Sequence, residues 1–167
     1  MGISAKLTKA INEQITEEYQ SAYTYESMAY KLESMNLVVF AKWFRIQAAE
    51  EREHAERFSK YLLDRGEEVV LKALAAPKGT WKSCLAICEA ALRSEIVITE
   101  KIDDLVNLAS KEKDNTTYSF LLWFVNEQVE EEANAKFLLD LIKLATKPAQ
   151  ALMLEGRVRR LIEERTG

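Results

Sequence analysis

Residues 47–57 read QAAEEREHAER and contain His54, the only histidine of the chain. Glu51 stands three places before it, so a carboxylate and an imidazole share one face of any helix formed here. The rest of that face is apolar. Steps of three and four give Phe40, Phe44, Ala48, Glu51, Ala55, Phe58 and Leu62, the stripe of a helix that turns one side to a core. A single Glu–His pair in such a stripe can be a hydrogen-bonded core pair or two ligands of one cation.

Three further stripes carry the same kind of interruption. One reads Leu7, Ile11, Glu18, Ala22, Tyr25, Ala29, Leu32 and is broken by Glu18. Another reads Cys84, Cys88, Leu92, Glu95, Ile98, Ile102, Leu105 and is broken by Glu95. The last reads Leu121, Phe124, Gln128, Glu131, Ala135, Leu138, Ile142 and is broken by Gln128 and Glu131. Glu18 lies 18 residues before Asn36 and Glu51 lies 15 after it. At 1.5 Å per helical residue those are about 27 and 22 Å from the turn, level within one helical turn. The second half repeats the arithmetic: 33 residues separate Glu18 from Glu51 and Glu95 from Gln128, and 36 separate Glu18 from His54 and Glu95 from Glu131. The matching spacings form a weak internal repeat.

Four carboxylates at one depth in an apolar interior repel one another, and each is costly to desolvate. They either take up protons or enclose two divalent cations whose four charges balance Glu18, Glu51, Glu95 and Glu131. An oxygen-rich set with one imidazole suits iron or manganese better than a structural zinc.

The elements that must position these groups follow from the same periodicity. Helices are expected over about 4–34, 37–64, 83–110, 115–145 and 149–165. Ser4 and Asp114 stand where N-caps belong, and Asn36 tolerates a left-handed turn. Short breaks make two antiparallel hairpins, and residues 67–82, with Pro77 and Gly79, form a long crossover. The result is an all-α, ferritin-like four-helix bundle with one long crossover and a short fifth helix, in a single domain over 1–167.

Bulk properties narrow the function classes. The 167 residues are 48% hydrophobic and 30% charged, with five Gly and two Pro, which suits a soluble helical fold with a substantial core. A net charge of −4 gives no nucleic-acid footprint. Arg157, Arg159 and Arg160 read as a solvated or interface face of a short helix. There is no membrane-length apolar run and MGISAKLTK has no signal-peptide core, so a cytoplasmic location is expected. Cys84 and Cys88 are four apart on one helical face and read as small core thiols, with metal ligation the alternative.

On these residues the chain resembles the non-haem bacterial and archaeal ferritins over nearly its whole length. The carriers are NEQITEE at 12–18, EEREHA at 50–55, SEIVITEKI at 94–102 and, most specific, FLLWFVNEQVEEEA at 120–133. The resemblance implies that Glu18, Glu51 and His54 hold one iron, with Glu51 bridging to a second held by Glu95 and Glu131. It implies a third iron position at Glu50, Glu127 and Glu130. Gln128 would orient water or dioxygen beside the pair. Tyr25 would supply an electron, or is a core tyrosine with a satisfied hydroxyl. Trp123 matches a family tryptophan that packing explains equally well. Gln128-x-x-Glu131 stands where bacterioferritins have a second Glu-x-x-His, and Arg52 stands where they place a haem-binding methionine, so no haem is expected. The implied activity is a ferroxidase that oxidises ferrous iron with dioxygen or hydrogen peroxide and stores the mineral in a homo-oligomeric cage of 24 subunits. In the fifth helix Leu154, Val158, Leu161 and Ile162 form one docking face. A non-storage di-iron oxidase and a metal-free structural bundle are the rival readings.

Overall fold

Each helix begins and ends on chemistry readable in its flanks. In the computed structural model, which describes residues 2–166, the Ser4 hydroxyl accepts from the Leu7 amide at 3.2 Å and opens α1 (Ala5–Ser34). Asn36 then takes a left-handed φ of 61°, and the Leu37 amide returns to the Leu32 carbonyl at 3.0 Å, a Schellman-type ending. α2 (Val38–Asp64) closes the same way at Gly66, whose φ is 79°. Ser83 caps α3 (Cys84–Lys111), and Asp114 caps α4 (Asn115–Lys143) by accepting from the Thr117 amide at 2.9 Å. The fourth helix stops at Lys143 instead of running on to about 145. α5 (Pro148–Thr166) begins one residue before the expected 149, because a proline at a first helical position forfeits no intrahelical bond.

α2 has no side-chain cap of its own. Glu155 of α5 supplies one, accepting from the Val39 amide at 2.7 Å. Val158 and Ile162 of the same helix are buried in the core, with Leu154 and Leu161 packed against it. α5 is thus docked on its own bundle as well as capping it.

The long connection runs along α1. The Asn12 amide donates to the Glu68 carbonyl at 3.0 Å and accepts from the Val70 amide at 2.7 Å. Gln20 makes the same pair with Ala75, at 3.1 and 2.7 Å. Two side-chain amides therefore hold an extended segment that has no ladder of its own. The crossover returns the chain to the far end, so that α3 runs antiparallel to α1 and α4 antiparallel to α2. Rings fill the space between α2 and α4: Phe58 stacks on Phe124 at 4.0 Å and Tyr61 on Phe120 at 3.9 Å.

The interior divides into two apolar clusters. One holds Tyr25, Phe40, Trp43, Phe44, Ile87 and Leu138 with α5; the other holds Ile11, Ile15, Phe58, Ile98, Leu121 and Phe124. The polar residues that interrupt the four stripes lie between them. Of the residues expected on those stripes, Leu92 is only partly buried; it lines an open groove of about 860 Å³ between α3 and α4. Cys84 and Cys88 are buried free thiols. A hydrogen bond with Cys84, and then burial, push the Cys88 thiol well up, which keeps it protonated and inert. Among the described residues no helix is long and apolar enough to cross a membrane.

Asp114 joins the two hairpins as well as capping α4, because Arg65 at the end of α2 donates to its carboxylate at 3.2 Å. Asp114→Ala is expected to lower the unfolding free energy by about 1–2 kcal/mol, the usual cost of a lost cap. Asp114→Asn, which keeps the cap, should recover most of it. Urea denaturation of the three proteins measures the difference.

Candidate metal centre

Mid-helix placement brings the interrupting residues to one level. Glu18 comes from α1, Glu51 and His54 from α2, Glu95 from α3, and Gln128 and Glu131 from α4; none is more than 5% exposed. Ligand atoms of Glu18, Glu51 and His54 all lie within 4.8 Å of one another. His54 Nδ1 is 3.4 Å from Glu51 Oε2, as two residues one helical turn apart should be. A second group with the same spacing joins His54, Glu127 and Glu131. His54 is therefore the shared corner of two candidate sites.

The remaining residues expected at the site are distributed around these groups. Glu95 belongs to neither group. Its Oε1 accepts a short hydrogen bond from the Tyr25 hydroxyl, and its Oε2 accepts from Gln128 Nε2 at 3.3 Å. Tyr25, fully inside the core, thus spends its hydroxyl on a site carboxylate. Gln128 also reaches Thr99 Oγ1 at 3.3 Å, and Thr99 donates to Glu132 at 2.5 Å. Glu50 and Glu127 are half-buried and Glu130 is exposed; of these three only Glu127 enters a group.

The seat of His54 is aromatic. Trp123 and Phe124 meet the imidazole edge-on at 5.7 and 5.8 Å. The Arg57 guanidinium lies 3.9 Å over the Trp123 ring. These rings fix the imidazole plane, leaving it little room to turn away from Glu51.

The electrostatics are those of anions crowded out of water. Burial first, then the Glu51 charge, hold the Glu18 carboxyl well above the usual range. Burial and then Glu95 do the same to Glu51. Glu95 is pushed up to about 7 by burial and by Glu131, against the opposing bonds from Tyr25 and Gln128. Burial and Glu95 also raise Tyr25. Glu18 Oε2 and Glu51 Oε2 have no hydrogen-bond partner. Two buried carboxylate oxygens without a hydrogen bond, beside an imidazole, are donor atoms of the kind a cation takes.

Three contacts were not anticipated from the sequence. Gln14 donates to Glu18 Oε1 at 2.8 Å, Gln47 donates to Glu131 Oε2 at 2.7 Å, and Thr99 bridges Gln128 to Glu132. Nothing in the sequence signals the last two, and Gln14 shows only a spacing of four before Glu18, which does not by itself say that the amide faces the core.

Without metal, these carboxyls bind protons more tightly folded than unfolded. A raised acid contributes stability below its unfolded value and loses it as pH rises through the folded one. The metal-free protein is therefore expected to melt at a lower temperature at pH 8 than at pH 5, with the fall extending through about 7, where Glu95 titrates. A divalent cation at about a hundred times its dissociation constant should restore about 2.7 kcal/mol. Scanning calorimetry at several pH values, with and without cobalt(II), reads both effects.

Comparison with known proteins agrees with this fold. The family model of the ferritin-like domain matches residues 8–145. A bacterial non-heme ferritin of Staphylococcus saprophyticus is 36% identical over 152 residues, covering 91% of each chain. One of Bacteroides fragilis is 38% identical over 143 residues, covering 86% of this chain and 90% of its own. Among solved structures, an open pore ferritin from the hyperthermophilic archaeon Archaeoglobus fulgidus superposes with a TM-score of 0.91 at 40% identity, over 94% of this chain and 98% of that one. An engineered closed form of the same archaeal ferritin gives the same score, over 96% of its chain. With the family model matched along most of its length, and with such relatives, this chain belongs to the ferritins, a family of iron-storing helical bundles.

Proposed function

We propose that this chain is a ferroxidase that oxidises ferrous iron at a dinuclear centre inside each subunit and stores the ferric product as mineral in a homo-oligomeric shell, in the cytoplasm. The observation that carries the reading is the convergence of Glu18, Glu51 and His54, with one buried oxygen of each carboxylate left without a hydrogen bond. Iron is the substrate here. Ferrous ions entering the layer displace protons from carboxyls that burial has kept protonated, and the anions so formed favour the ferric state.

In this reading Glu18, Glu51 and His54 bind the first ion, and Glu51 is shared with a second held by Glu95 and Glu131. The proximity of His54, Glu127 and Glu131 supports a cation position on the α4 side, the place where a third ion would also use Glu50 and Glu130. Each ferrous ion gives up one electron, and dioxygen or hydrogen peroxide takes the pair. Tyr25, bonded to Glu95, is placed to give a further electron and a proton together. Gln128 steadies Glu95 until a ligand competes for its amide. Arg52 stands where a methionine would ligate a haem, and this reading includes no haem.

The storage half of the reading rests on assembly into a cage of 24 subunits. The neighbour described as an open pore ferritin, which also exists in an engineered closed form, supports assembly of this chain into a shell with pores. One observation favours a second reading. The groove between α3 and α4 carries Gln128 and Thr99 in its lining beside Leu92, Ile96, Val125 and Val129, a place where a small apolar substrate of a non-storage di-iron oxidase could lie.

His54→Ala and Glu18→Ala should each slow ferrous oxidation by about a hundredfold or more, since even groups one shell further from a metal cost 10–100-fold. Helical content should be unchanged. Stopped-flow oxidation at the parent rate in both variants would remove the assignment. Storage is tested separately by loading iron in large excess over the centres. Soluble mineral inside a particle of many subunits is expected, whereas oxidation that stops after one turnover in a single-subunit particle, measured by light scattering, would favour the oxidase.

A further inference from the structure

Besides Gln128, two buried glutamines aim their amides at the proposed centre, and no role is assigned to them by the ligand set. Gln14 and Gln47 are 3% and 1% exposed. Each stands four places before a glutamate of the layer, Glu18 and Glu51. Their bonds differ. Gln14 donates along its own helix to Glu18 Oε1 at 2.8 Å, while Gln47 donates across the bundle to Glu131 Oε2 at 2.7 Å. Each amide therefore takes one named oxygen of a carboxylate. For Glu18 the other oxygen is the one without a partner. Glu131 places an oxygen within 4.8 Å of His54 and Glu127 ligand atoms.

We infer that Gln14 and Gln47 are positioning residues for iron: their amides hold one oxygen of Glu18 and one of Glu131 so that these carboxylates meet the cation in a fixed orientation. The inference rests on the dinuclear reading above. The chemistry favours a neutral amide for this task. A carboxylate that can rotate pays rotamer entropy at each binding event, and one bond to a fixed donor removes that freedom beforehand. A lysine or arginine in the same position would also restrain the carboxylate, but its charge would compete with the metal. Burial of the amide matters too, because each glutamine would otherwise leave its own polar group unsatisfied in the core.

The test uses the full-length assembled protein and cobalt(II), whose visible absorption reports both affinity and ligand geometry. Gln14→Met and Gln47→Met keep side-chain length and remove the donor. Each should weaken cobalt binding about tenfold or more and change the shape of the visible bands, with helical ellipticity unchanged. Asn12→Leu is the contrast. It removes a buried amide that holds the crossover, and should lower the melting temperature while leaving cobalt affinity and bands as in the parent. If the methionine variants fail to fold, Gln14→Asn and Gln47→Asn withdraw the amide by one methylene and are read the same way. Parent affinity and parent bands in the glutamine variants would overturn the inference and leave the centre standing. A parent protein that binds no cobalt would overturn both.

Discussion

Everything in this bundle is arranged around uncompensated negative charge. Desolvating a carboxylate costs several kcal/mol, and crowding several together adds repulsion that a low-dielectric interior scarcely screens. The folded chain meets this cost by protonation, visible in the raised carboxyls of Glu18, Glu51 and Glu95, or by taking up cations. The apolar clusters above and below are what make the exchange strong. Phe58, Phe124 and Ile15 on one side and Tyr25, Phe44 and Ala48 on the other keep water from solvating the anions, so the proposed divalent ion would compete with protons and not with solvent. Stability and function thus draw on the same layer. Burying the carboxyls costs free energy that the two hydrophobic clusters on either side must offset.

Four antiparallel helices hold that layer level because both hairpins count the same number of residues from turn to ligand. The turns are therefore part of the site. A one-residue change at Asn36 or Lys113, both at positive φ, would rotate a following helix by about 100° and carry its glutamates out of the interior. The caps at Ser4, Ser83 and Asp114 and the return bond from Leu37 to Leu32 fix those counts. The crossover has a different task. It only needs to reach the far end, and Asn12 and Gln20 fasten it with side-chain amides where a regular element would have used its own backbone.

Much of this was legible in the sequence, for a physical reason. Helical periodicity is local, and a carboxylate in an apolar stripe stands out against it; hence Glu18, Glu51, Glu95 and Glu131 with His54 could be located before any coordinates. Caps are local too, so Ser4, Asn36 and Asp114 could be read where they stand. The bonds from Gln14 and Gln47 could not. A glutamine on a helix looks the same whether it faces water or core, and the partner of Gln47 lies 84 residues away. The cap that Glu155 lends to α2 was invisible for the same reason. Leu92 shows the opposite failure. It keeps the period of its stripe, yet it lies at the edge of the α3–α4 seam, where the neighbouring helix leaves a groove.

The division of polar labour among the helices follows one rule. Where the chain needs a permanent bond, it pairs an amide with backbone, as Asn12 and Gln20 do, or pairs opposite charges near the surface, as Arg65 and Asp114 do. Where it needs a bond that tolerates a change of charge, it pairs an amide with a carboxylate, as Gln14, Gln47 and Gln128 do. In the proposed reading, the amide of Gln14 stabilises the Glu18 carboxylate before metal arrives and would stay bonded to Oε1 while a cation takes Oε2. A cationic donor would have neutralised the site, removing the charge imbalance that draws the metal in. In the proposed reading, the absence of formal positive charge from these bonds would keep the layer receptive to a cation, and a neutral amide avoids the desolvation cost that a second buried charge would add.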